Sequence, residues 1–357
     1  MAFEISDDVA RATTLPGSVY GDPDVHKQLL ERVFAHAWLP IPEPPADRAV
    51  VAPFTLLPDS LDEPLVLTRD AMGVPHCLSN VCTHRGMLVA CESGSAKRLR
   101  CRYHGRRFAL NGDFEAAPGF EGAEGFPRSA DSLPSLPVES WGPLWFTRLA
   151  GDLEFGSWIE PVRQQLDWLA SRPMPFDAEG SQDYLVDANW MLYIDNYLEG
   201  MHGPTVHPTL AVALDVGAYR TEIAPMGSIQ VGIASDAEDA LLLPADHPLA
   251  GENVAGLYIH LFPNTLINVY PWGISVNHIE PVGPRQTRVR FRRHVADASR
   301  LKGGAGGDLH RVEMEDEAVV EATQRGVRSR LYDRGRYAPR HEVAVHHFHS
   351  WLASQLG

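Results

Sequence analysis

Two short segments, Cys82-Thr83-His84 and Cys101-Arg102-Tyr103-His104, constrain this chain more than any other feature. Each carries one thiol and one imidazole, and residues 85–100 separate them. Thiolate and imidazole are the donors that bind iron or zinc at neutral pH, so four of them in two pairs make a metal site. A structural zinc is the plain reading. The spacing favours another: each loop can give its Cys to one metal and its His to a second, which suits a two-iron cluster with both Cys on one iron and both His on the other. Around the pairs, β-prone runs at 65–68, 98–100 and 144–147 are broken by Pro, Gly, Asn and Asp, which predicts a small all-β module over 40–149. Cys77 and Cys91 have no spare His or Cys to complete a second cluster and are expected to be buried or partly buried free thiols.

The remainder is larger and mixed. Residues 25–38 have helical periodicity, with Leu29, Leu30, Val33 and Phe34 on one face, and 1–39 are expected to form a helical segment packing on the region 150–357. That region opens with an expected helix at 158–169, continues in strands such as 258–261 and 287–292, and ends in helical stretches at 313–332 and 341–356. In 287–292, Val289 and Phe291 share one face and three Arg the other, as in a half-buried strand. The Gly-rich stretch 303–307 reads as a flexible loop.

A second constellation lies in 189–207. Asp195, Glu199 and His202 recur at spacings that a helix stacks on one face. His207 follows after Gly203 and Pro204, which predict a bend that swings it back towards His202. Two converging His need a third ligand, and a carboxylate would complete the facial triad of a non-haem Fe(II) site. The acidic run Glu313, Glu315, Asp316, Glu317 and Glu321 supplies candidates, although most of it reads as the solvated start of a helix.

A formal net charge of −15 argues against binding nucleic acid or an anionic membrane through bulk electrostatics. Four Cys make no disulfide scaffold, the opening residues are acidic where a leader would be basic, and no apolar run approaches the roughly 20 residues that span a bilayer. A cytoplasmic setting is expected.

His84-Arg85-Gly86, Tyr103-His104-Gly105 and the following Phe108-Ala109-Leu110-Asn111-Gly112 resemble the ligand loops of a Rieske 2Fe-2S domain. Further segments extend the resemblance over nearly the whole chain: Asn196-Tyr197-Leu198, His202-Gly203-Pro204, Glu313-Met314-Glu315-Asp316, Gln324-Arg325-Gly326, Gly335-Arg336-Tyr337-Ala338 and His346-His347-Phe348-His349. The chain thereby resembles the Rieske non-haem iron oxygenases, as an α (terminal oxygenase) subunit of the ring-hydroxylating family in its choline monooxygenase-like branch. Two departures stand out: Arg106, where many relatives carry Trp, and Glu199-Gly200-Met201, where that branch spaces its first His ligand differently.

The resemblance implies an α+β fold, with an all-β Rieske domain and a helix-grip (START-like) catalytic domain that has an antiparallel sheet and a long C-terminal helix. It implies Cys82 and Cys101 on one iron of the cluster and His84 and His104 on the other. It implies a mononuclear Fe(II) held by His202, His207 and Asp316, the acidic pair Glu315-Asp316 with downstream Gln324 selecting the carboxylate. Glu199 would link His202 to His104 of the next subunit, with Asn196 in the same site and Asp195 either supporting the electron route or making an ordinary helix-face pair. Each subunit of a homotrimer would hold one cluster and one iron. A separate NAD(P)H-dependent reductase carrying flavin and an iron-sulfur centre would supply electrons, because this chain has no Gly-x-Gly-x-x-Gly fingerprint.

The expected activity is reductive activation of O2 and hydroxylation or oxidative demethylation of a small organic substrate, with a quaternary ammonium compound as a candidate. Tyr193, Tyr197, Tyr258, Phe262, Tyr270 and Trp272 could cage such a cation, or could pack the sheet as strand aromatics usually do. An aromatic-acid ring-hydroxylating oxygenase is the alternative, which a pocket with a fixed Arg or Lys would favour. A Rieske electron-transfer or ligand-binding protein with an inactive iron site is the non-enzyme alternative. The C-terminal His341, His346, His347 and His349 are expected to belong to an ordinary packed helix, not to a metal.

Overall fold

Short β-prone runs punctuated by Gly and Pro fold Trp38–Gly151 into small antiparallel sheets, one of two units of the chain. The other unit joins the residues up to Ala37 to Asp152–Gly357. The computed structural model describes residues 3–207 and 210–357.

In the smaller unit a five-stranded sheet runs in the order Gly94–Ser95, Val50–Leu56, Glu63–Arg69, Pro75–Ser79 and Ser135–Leu136. A three-stranded sheet of Leu99–Arg100, Arg107–Phe108 and Phe114–Ala116 carries the second Cys-His pair in the turn between its first two strands. Cys82 and Cys101 sit in the core of this unit with Val51, Val66, Leu78, Val89, Leu99, Phe108, Leu110 and Leu133. Cys77 is also buried, which pushes its thiol up to about 12, whereas Cys91 is exposed. The expectation that Cys91 is at least partly buried is therefore corrected: the turn after Ala90 carries it to the surface.

The larger unit is built on a seven-stranded antiparallel sheet. Its order is Phe176–Val186, Gln286–Val295, Gly273–Gly283, Thr265–Tyr270, Val254–Leu261, Gly227–Ile233 and Arg220–Ala224. The central strand Thr265–Tyr270 is buried throughout, while Gln286–Val295 alternates, with Val289 and Phe291 inward. Helices α1 (Pro23–Arg32), α2 (Phe155–Ala170), α3 (Trp190–Tyr197), α4 (Gly203–Val206), α5 (Leu210–Ala213), α6 (Leu309–Gly326) and α7 (Val343–Leu356) complete the unit. Trp158 of α2 donates its indole N–H to the Phe262 carbonyl, and Phe348 of α7 packs on Phe262, so the two helices share one anchor on the sheet.

Three sequence expectations shift here. The first helix ends at Arg32 instead of running to residue 38, because a 3-10 turn at Phe34–His36 follows it. The acidic run is not a helix start: Asp308 caps α6 through the Arg311 N–H, so Glu313 and Glu317 fall inside the helix and are buried. Within the stretch 303–307, Ala305 and Gly306 are buried against the sheet: Trp272 donates to the Gly306 carbonyl, and a Cβ on Gly306 would lie 2.7 Å from the Tyr270 ring. Among the described residues, no helix is long and apolar enough to cross a membrane.

Candidate metal centres and cavity

The two Cys-His loops repeat one backbone design. Each Cys N–H donates to the carbonyl five residues on (Met87 and Arg106), and each Cys carbonyl accepts from the glycine four residues on (Gly86 and Gly105). Both glycines have φ near +70° (72° and 74°), a conformation that side chains resist. This turn buries the sulfur and turns the imidazole two or three residues later outward. Cys82 and Cys101 are accordingly 3% and 1% exposed, while His104 is exposed and its ring centroid lies 4.7 Å from that of His84. Burial raises the Cys82 thiol, with neighbouring Cys101 adding to the rise. Desolvation lowers His84, and the charges of His104, Arg85 and Arg106 lower it further. Two buried sulfurs behind two adjacent imidazoles fit a cluster with its sulfur-bound metal inside and its nitrogen-bound metal at the surface.

The second centre departs from the expected helical stack. α3 is capped by Asn189, whose side chain accepts from the Met191 N–H, and it ends at Tyr197. Glu199 lies beyond the helix and closes a turn: Oε2 accepts from the backbone N–H of Met201 (2.6 Å) and of His202 (3.1 Å). Its Oε1 lies 2.7 Å from His202 Nδ1. His202 then caps α4, whose single turn carries the chain to His207. The bend at Gly203 and Pro204 is thus a new helix start, with Pro in the first turn where its missing N–H costs nothing.

Across from them stands α6. His207 Nε2 is 3.0 Å and His202 Nε2 3.5 Å from Asp316 Oδ1, and donor atoms of the three residues all lie within 4.8 Å of one another. Each His offers Nε2 inward because a carboxylate takes its Nδ1, Glu199 for His202 and Glu315 for His207 at 2.8 Å. Burial works against a charged His207, but hydrogen bonds and charge from Asp316 and Glu315 outweigh it and raise the ring above the ordinary imidazole value. Such carboxylate-imidazole pairs fix tautomer and ring orientation at metal sites. Glu315, which the sequence presents only as the neighbour of Asp316, has this orienting position; Arg311 holds its other oxygen at 2.9 Å. Replacing Glu315 with Gln is expected to weaken iron binding at the triad about 10–100-fold. Iron titration of the metal-free protein measures this, and unchanged affinity would remove Glu315 from the role.

Two further bonds set the spacing of α3 from α6. Gln324 accepts the Asn189 N–H at 2.7 Å, and Tyr193 donates its hydroxyl to Glu313 at 2.7 Å. Glu313 is buried, which pushes its carboxyl up to about 8 against the opposing bond from Tyr193. Asp195 goes elsewhere. Its carboxylate bonds His349 at 2.8 Å and Tyr20 at 3.0 Å, and Tyr337 holds the other His349 nitrogen at 2.8 Å. This network ties α3 to α7 and the N-terminal segment. His349, 1% exposed, is one of its members and not a free helix-packing residue.

A cavity of about 140 Å3 opens beside the triad. Of the six aromatics expected as a cage, Tyr193, Tyr197, Tyr258 and Tyr270 line it. Phe262 instead packs on Phe348 and Trp351, and Trp272 stacks behind Tyr270. Tyr219, which no sequence pattern marks, joins the wall, with its ring over Gly200, where a Cβ would lie 2.7 Å away. Asn196 and Glu313 also line the cavity, and no Lys or Arg does among the described residues.

Comparison with known proteins decides the family. Residues 55–135 match the Rieske [2Fe-2S] domain, and residues 175–357 match the ring hydroxylating alpha subunit (catalytic domain). The chain is 31% identical to the chloroplastic choline monooxygenase of Arabidopsis thaliana, over 99% of this chain and 85% of that protein. The chain belongs to the Rieske-type ring-hydroxylating oxygenase α subunits. It is 25% identical to the carnitine monooxygenase oxygenase subunit of Escherichia coli K12, over 96% of this chain and 93% of that one. Its fold matches a quaternary ammonium Rieske monooxygenase, with TM-score 0.78, 22% identity and coverage of 99% and 100%. It also matches naphthalene 1,2-dioxygenase from Rhodococcus sp., with TM-score 0.73, 18% identity and coverage of 96% and 94%. A Rieske oxygenase of this family works with a 2Fe-2S cluster, a mononuclear iron and a separate reductase. The donor sets of both centres fit those groups, and the α+β fold is that of the family.

Proposed function

We propose that this oxygenase binds a small quaternary ammonium compound beside the triad and hydroxylates or demethylates it. The observation that carries the reading is the cavity wall: five tyrosines, the buried carboxyl of Glu313 and no cationic side chain among the described lining residues. Ring faces attract an ammonium head by about 2 kcal/mol when desolvated. Three of their hydroxyls are held in fixed bonds, Tyr197 to Asn268 (2.9 Å), Tyr219 to Gln230 (3.1 Å) and Tyr193 to Glu313. Asn277 and Asn268 add neutral polar groups to the same wall. An aromatic acid or a carboxylated betaine would leave its carboxylate unpaired here.

In this reading Cys82, Cys101, His84 and His104 hold the cluster, and His202, His207 and Asp316 hold Fe(II). Bound there, the iron supplies reductive activation of O2 and the cluster supplies electrons one at a time. The chain's own work is placement. Glu199 and Glu315 retain the Nδ1 protons so that both Nε2 lone pairs face the metal. The packed Gly306 wall and the Tyr270-Trp272 stack exclude water from one side of the cavity. Glu199 would also hydrogen-bond His104 of a neighbouring copy in a homotrimer and so bridge the cluster to His202; the quaternary ammonium Rieske monooxygenase of similar fold reveals insights into inter-subunit electron transfer. Cys77 and Cys91, the two cysteines outside the cluster, are free of disulfides, and Cys91 is exposed, which suits a reducing cytoplasm.

Oxygen uptake with a surrogate reductase tests the substrate. Choline is expected to stimulate uptake at lower concentration than carnitine, and aromatic acids not at all. Tyr258→Leu should raise the KM for the cation roughly 30-fold, the equivalent of about 2 kcal/mol, while Tyr258→Phe keeps it. Stimulation by an aromatic acid alone would sink the reading.

A further inference from the structure

Arg106 stands where a positive charge is costly. It is 2% exposed, two residues beyond His104, and is caged by Phe114, Phe120 and Phe126, each ring centroid 5.2 Å from its guanidinium carbon. One nitrogen donates to Thr83 Oγ1 at 2.7 Å and another to Asp131 Oδ1 at 3.0 Å, while Nε is buried without a partner. Thr83 is the residue between Cys82 and His84, and its hydroxyl donates to the Asp131 carbonyl at 2.8 Å. Phe120, on the guanidinium, also meets the His84 ring at 5.1 Å. The guanidinium therefore bonds the first ligand loop directly through Thr83, and the Arg106 backbone closes the second loop just before the strand Arg107–Phe108.

Asp131 offsets this charge only in part. Its side chain is 14% exposed against 3% for Arg106, so water screens the anion more than the cation. A buried, permanently protonated group beside a redox centre favours whichever state carries more negative charge. One-electron reduction by the reductase adds one negative charge within the four ligands.

We propose that Arg106 tunes the Rieske cluster: its buried charge stabilises the reduced form and raises the reduction potential. Electron entry from the reductase becomes easier, and onward transfer is driven correspondingly less. This rests on the cluster assignment, which visible absorption of the purified protein checks separately, and not on the substrate.

The midpoint potential of the full-length, cluster-loaded protein, followed by electron paramagnetic resonance, tests it. Arg106→Gln should lower the midpoint, Asp131→Asn should raise it, and Arg106→Lys should leave it near that of the unaltered protein. Opposite signs are the signature, because a purely structural clamp would shift both variants the same way. An unshifted Arg106→Gln, or equal signs, overturns the proposal. If Arg106→Gln fails to load its cluster, Asp131→Asn decides alone: a midpoint that does not rise overturns it.

Discussion

Asp316→Ala is expected to strip mononuclear iron from the protein and abolish oxygen uptake, while the visible absorption of the cluster persists. Among the described residues, the carboxylate is the only anionic donor facing both imidazoles, at 3.0 Å from His207 Nε2 and 3.5 Å from His202 Nε2. Without it, two neutral nitrogens remain, and the loss should exceed the roughly 100-fold upper end for removing an outer partner. Folding should survive. Asp316 lies inside α6, where alanine is the best helix former, and the substitution leaves the Tyr193-Glu313 and Asn189-Gln324 ties in place. Metal analysis beside a thermal melt separates the two effects. Retained iron with normal turnover would remove Asp316 from the triad.

The Cys-His loops are legible in sequence because their whole geometry is local: one Cys, one His and one glycine within five residues fix each turn. The convergence of His202 and His207 is legible for a similar reason, since Gly203 and Pro204 permit few paths between them. The helix linking Asp195 to His202 is not. Spacings of four and three describe a helix and a capped turn equally well, and what ends α3 is Glu199 taking the free N–H groups of Met201 and His202. The partners of Asp195 are more than a hundred residues away in His349 and Tyr20, and no local pattern carries that information. Glu313 and Glu315 look alike in an acidic run. Tertiary packing alone makes one a buried cavity wall and the other a brace for His207. Tyr219 illustrates the same limit from the other side, since its place in the wall depends on Gly200 leaving room for the ring.

Glu199→Gln should leave the cluster loaded, yet slow its oxidation by O2 and substrate at least about 100-fold even when iron is saturating. The argument is one of lone pairs. A carboxylate offers about four acceptor sites. Three are taken within the chain, by His202 Nδ1 and by the N–H groups of Met201 and His202. One remains for an incoming imidazole donor, which is what a bridge from the cluster of a neighbouring copy requires. An amide offers acceptors on one oxygen only, and its NH2 must face either His202 Nδ1–H or the two backbone N–H groups. Either choice sets donor against donor, so the substitution loses a charge-assisted bond about twice as strong as a neutral one; with the NH2 toward His202 no acceptor is left for a bridge, and with it toward the backbone N–H groups only one neutral, weaker acceptor is left. Iron affinity should fall too, by about 10–100-fold, as His202 loses the partner that fixes its tautomer. Saturating iron removes that contribution, and single-turnover mixing of reduced protein with oxygen and substrate then reads the transfer itself. Cluster oxidation at the unaltered rate in an iron-loaded Glu199→Gln protein would place the electron route somewhere other than this carboxylate.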